Sequence, residues 1–72
     1  MPPIRYWRDE MYAVEEIKKT SGKSAVIVKH NHKLVGAASV LFVRWMHEHV
    51  PTSQLAPEQV AMVNWFQKNR VH

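Results

Sequence analysis

A chain of 72 residues that contains no cysteine has to hold its fold by packing alone. At that length there is room for one domain, residues 1–72, around one small core. The material for a core is there: 46% of the residues are hydrophobic and three are tryptophan, which speaks against disorder. Lack of cysteine also removes disulfides and thiolate metal sites, and it suits a reducing cytoplasm. The longest apolar run, 34–43, contains Gly36 and Ser39 and falls far short of the ~20 residues needed to span a membrane. The first seven residues lack a charged region followed by an apolar one, so no signal peptide is expected. A soluble, basic, cytoplasmic domain with no membrane partner is the expectation.

Periodicity then divides the chain. Ile4, Trp7, Met11, Val14 and Ile17 recur at helical spacing behind Pro2 and Pro3, with Glu15 and Lys19 as an i,i+4 pair and Gly22 as a stop. This predicts a helix over 4–20. Residues 25–28, Ala-Val-Ile-Val, read as a strand, His30 to Lys33 as a turn, and Leu34 and Val35 as a return strand ending at Gly36. Residues 37–50 predict a second helix, apolar almost all round and therefore central and buried, stopped by Pro51. Pro57 opens a third helix whose core face is Val60, Val63 and Phe66 with Met62 and Trp65 alongside. The expected architecture is a small single α+β domain, α-β(β)-α-α, with a short strand or hairpin packed on three helices.

Charge is distributed unevenly. From Ile17 to His47 there is no Asp or Glu, while Lys18, Lys19, Lys23, Lys29, Lys33 and Arg44 all fall in that window. A one-sign block of this kind makes a positive field and favours an acidic partner. Its first half brackets the expected strand, whose open edge would suit strand addition. Lys18, Lys19, Lys23, Lys29, His30, His32 and Lys33 are therefore the candidate partner-binding residues. Within 18–38 there is no arginine and no aromatic residue other than histidine, which favours a protein surface over base reading.

The short motifs carry little chemistry. Gly22-Lys23-Ser24 matches the end of a phosphate-binding loop, but Ile17 stands where that loop needs glycine. His30-x-His32 and His47-x-His49 lack cysteine or carboxylate partners for a tetrahedral set, save Glu48. No catalytic, cofactor or metal residues are assigned; an enzyme and a small-molecule substrate are not expected. Trp65-Phe66-Gln67-Lys68-Asn69-Arg70 resembles a homeodomain recognition helix, with Lys68 inserted so that Asn69 turns about 100° from the base-reading position. Lys68 and Arg70 are the candidate nucleic-acid contacts of this alternative, a small basic DNA- or RNA-binding regulator.

As a whole, the chain resembles small phage-encoded proteins that bind the host transcription machinery, in particular those of Xanthomonas-infecting phages. The resemblance runs over the full length and rests on the stretches Ile4-Arg5-Tyr6-Trp7-Arg8-Asp9-Glu10 and Ser24-Ala25-Val26-Ile27-Val28. It implies binding to the N-terminal region of the bacterial RNA polymerase β′ subunit, inhibition of initiation and promotion of antitermination, in the host cytoplasm. It assigns no functional residue. Besides the nucleic-acid alternative, inhibition of another host enzyme or defence complex fits the same surface logic.

Overall fold

A computed structural model of the chain describes residues 5–69. Its elements run β1 (Tyr6–Arg8), β2 (Ala13–Lys18), β3 (Ser24–His30), β4 (Lys33–Ser39), α1 (Val40–His49), a single 3-10 turn (Thr52–Gln54) and α2 (Pro57–Asn69). The strands form one antiparallel meander in the order β1-β2-β3-β4. The order β-β-β-β-α-α replaces the three-helix packing expected from periodicity.

The first helix is the main correction: residues 4–20 form a hairpin over the part described. Asp9 turns the chain. Its carboxylate accepts the backbone N–H groups of Met11 (2.8 Å) and Tyr12 (2.6 Å), and its own N–H donates to the Tyr12 carbonyl (2.9 Å). Such side-chain capture of local N–H groups competes with helix formation. Trp7 then lies opposite Val14 across β1 and β2, so both point to the same face. Two residues seven apart satisfy a helical stripe as well as a strand pair across a turn, so their spacing alone does not separate helix from hairpin.

β2 alternates as a half-buried strand should, with Val14 and Glu16 inward. The inward Glu16 disguises the alternation, because a carboxylate in a core position normally marks an exposed one. Arg5 makes it tolerable. Its guanidinium donates to both Glu16 carboxylate oxygens, with Nε to Oε1 at 2.7 Å.

The expected strand at 25–28 lies within β3, and its hairpin with β4 turns at Asn31 and His32, which both have positive φ (52° and 66°). Two successive left-handed residues are what a tight type I′ hairpin requires. β4 extends to Ser39, so residues 37–39 are strand and helix α1 starts at Val40. Ser39 caps it by accepting the Phe42 N–H through its hydroxyl (3.1 Å). α2 begins at Pro57, with the Gln59 side chain reaching back to the Ala56 N–H (3.0 Å).

Both helices cover one face of the sheet, giving a single core: Val14, Val26, Val28, Val43, Met46, Ala61, Met62, Val63, Trp65 and Phe66. α2 packs on all four strands, and α1 packs on α2, β3 and β4. Gly36 completes the inner row Trp7–Val14–Val28–Gly36. Its missing side chain admits α2: a Cβ there would sit 3.4 Å from Met62 Cε and 3.5 Å from Glu58 Cγ. Among the described residues the other face of the sheet carries no helix.

Candidate functional site

The basic residues that sequence places together are separated by the fold. Lys18, Lys19 and Lys23 lie around the β2–β3 loop. Lys29, His30, His32 and Lys33 lie at the opposite end of β3. Seven strand residues at about 3.3 Å each put the two groups roughly 20 Å apart. β3 is also an interior strand, paired with β2 on one side and β4 on the other. The strand that the lysines bracket therefore has no open edge. The sheet's edges are β4 and the three-residue β1.

The far group is not free of acid in space. Lys29 Nζ lies 3.6 Å from Glu15 on β2. Lys29 and His32 line a shallow cleft of about 270 Å³ with Tyr6 and Arg8, and Asp9, Glu10 and Glu15 line it too. Its charges are mixed, three carboxylates against the two cations Arg8 and Lys29, so this part of the acid-free window in sequence faces acid in space. The histidines are dispersed among ring partners: His30 on Tyr12 (5.4 Å), His47 on Phe66 (5.0 Å) and His49 on Trp45 (5.7 Å). Among the described residues no three His, Asp or Glu side chains gather as metal ligands.

On α2, Lys68 is exposed in the last turn, and Arg70 lies outside the described residues. Trp65 and Phe66 are buried. The Asn69 amide is turned inward, donating to the carbonyls of Trp65 (2.9 Å) and Tyr6 (3.3 Å). The residue that would read a base is thus spent on holding β1 to α2. Trp65 Nε1 donates to the Arg5 carbonyl (3.0 Å), and the Arg5 guanidinium stands over the Trp65 ring at 5.7 Å. The hydrogen bond from Arg5 holds the Glu16 carboxyl below the usual range against the opposing effect of burial.

The surface that sequence reasoning missed is on α1. A helix apolar all round was expected to be buried; only Val43 and Met46 are. These two mark the inward side; at 100° per residue Leu41 and Trp45 fall on the outward side, and Phe42 and His49 on the flank next to them. Leu41 is 76% exposed and Trp45 51%. The Phe42 and Trp45 rings stack at 6.0 Å with an interplanar angle of 16°, and His49 follows on Trp45. Among the described residues, three of the eight exposed large hydrophobic residues (Leu41, Phe42, Trp45) belong to α1. Arg44 borders the stripe and is answered by Glu48 (Nε–Oε1 2.9 Å); that hydrogen bond holds the Glu48 carboxyl below its usual range.

The only sequence signal for this stripe was surplus: α1 carries apolar residues on more sides than one small core can cover. Among the described residues no helix is long and apolar enough to cross a membrane. Compared with protein-family models, curated proteins and solved structures, the chain matches none.

Proposed function

We propose that this chain is a non-enzymatic docking domain that binds a larger protein assembly through the outward stripe of α1. The carrying observation is the stacked Phe42–Trp45 pair, with His49 tilted against Trp45, beside exposed Leu41. Tryptophan and phenylalanine supply large contact area at small cost in side-chain entropy, and aromatic anchors dominate most protein interfaces. The occupant is a partner with an apolar groove and an acidic rim. Its acidic character follows from the net charge of +4 on this chain, which also sets two copies against each other.

The partner we propose is bacterial RNA polymerase, in the N-terminal region of its β′ subunit, on the strength of the whole-chain resemblance to phage regulators. In that role the protein inhibits initiation and promotes antitermination in the host cytoplasm. An 8.4 kDa domain can do this by occluding a contact or by favouring one polymerase conformation, which requires only differential affinity for two states. Retention of the protein on immobilised polymerase at low salt is the expected result. Absence of retention removes polymerase as the partner, and concentration-dependent dimerisation through Trp45 removes the hetero-partner reading.

A further inference from the structure

We infer that the β2–β3 hairpin tip is a second contact surface, independent of α1, that takes the phosphate backbone of duplex DNA. The tip runs from Lys18, paired with Ser24, through Lys19-Thr20-Ser21-Gly22-Lys23. It is a closed turn: the Lys19 N–H donates to the Lys23 carbonyl and the Gly22 N–H to the Lys19 carbonyl, both at 2.9 Å. Gly22 has φ +84°, a conformation that costs other residues about 1 kcal/mol or more. The turn therefore holds the three lysines on one small convex end of the sheet.

Their charge is uncompensated. None of the ion pairs among the described residues uses Lys18, Lys19 or Lys23. Glu16, which comes close enough to feel Lys18, is already committed to Arg5. This separates the tip from the other end of β3, where Lys29 faces Glu15.

The kind of polyanion follows from what the tip lacks. Residues 18–24 contain no large apolar side chain and no aromatic ring. Protein interfaces have apolar cores and are poor in lysine, so an acidic protein gains little here. Single strands bind by base stacking on aromatic rings, which are absent. What remains is a two-stranded ribbon end bearing three point charges, a shape the wide major groove of DNA admits. With no Arg, Asn or Gln at the tip, contact is to phosphates and independent of sequence.

The test is fluorescence anisotropy of the full chain with a labelled DNA duplex across a salt series. The comparisons are a single strand of equal length, unlabelled polyglutamate as competitor, and the triple variant Lys18→Gln, Lys19→Gln, Lys23→Gln. Three phosphate contacts predict that the triple variant lowers the slope of log K against log salt by about 2.7, or roughly 40-fold in affinity over a fourfold salt range. Its melting temperature should match the wild type, and Trp45→Ala should leave the slope unchanged. An unchanged slope in the triple variant, no duplex binding by the wild type at low salt, preference for the single strand, or equal displacement by polyglutamate each overturns the inference. None of these results bears on the α1 docking reading.

Discussion

Trp65 and Trp45 sit on neighbouring helices and differ in nearly everything around them. Trp65 is fully buried, hydrogen-bonded to the Arg5 carbonyl, covered by the Arg5 guanidinium, and set in the core that α2 shares with the sheet. Trp45 is half exposed, and its ring partners, Phe42 and His49, lie on its own helix. The first region is satisfied: its polar atoms are paired and its apolar surface is covered. The second is apolar and uncovered. The uncovered aromatic stripe is the observation on which the proposed docking surface rests.

The comparison breaks most readily at the two tryptophans. Trp65→Ala should cost about 3–5 kcal/mol through lost burial and the cavity left behind. Against a typical net stability of about 5–15 kcal/mol, that leaves a marginal or unfolded chain. Trp45→Ala should cost under about 1 kcal/mol, as substitutions on an uncovered surface do. Urea unfolding of the two variants checks both; similar losses would falsify the division between a structural and a functional tryptophan.

The Arg5–Glu16 pair is a smaller effect in the first region. Glu16→Gln should cost about 2 kcal/mol, less than a fully buried pair because the Arg5 side chain is 37% exposed to solvent. The sign with pH follows from the depressed carboxyl. Its contribution is complete above the ordinary carboxylate value near 4.5 and is lost as pH falls through the lower folded value. Thermal melts between neutral pH and the acid limit should therefore show a slope below that value which Glu16→Gln reduces. A variant with the same acid slope as the wild type means that Glu16 is not the titrating group.

Smallest of all is the β3–β4 turn, outside both regions. His32 holds φ 66° without being glycine. Asn-Gly is the favoured pair for this turn, so His32→Gly relieves the left-handed cost while adding chain entropy, for a net gain of about 0.5 kcal/mol. That corresponds to a melting temperature higher by roughly 2–4 °C. A fall in melting temperature would mean that the His32 side chain, which lines the cleft, carries structure there.

How far the sequence could be read follows the same division. α2 was legible because Pro57, the apolar spacing and the basic end agree. The β3–β4 hairpin was legible because a β-branched run meets a turn residue, Asn31, that tolerates positive φ. The N-terminal hairpin was not, since Trp7 and Val14 fit either period and Glu16 hides the alternation until Arg5 is seen beside it. α1 was placed nearly in register but assigned the wrong environment. Periodicity tells which residues can be buried, not whether the molecule has enough surface to bury them. The basic window failed as one site for a simpler reason: seven residues of strand carry sequence neighbours to opposite ends of the sheet.

The most direct test of the account is the affinity of folded Trp45→Ala for purified bacterial RNA polymerase, measured beside the wild type. An aromatic anchor is expected to contribute at least about 2 kcal/mol, so the variant should bind at least roughly 30-fold more weakly with its fold intact. Equal affinity of the two proteins would contradict the assignment of α1 as the docking surface.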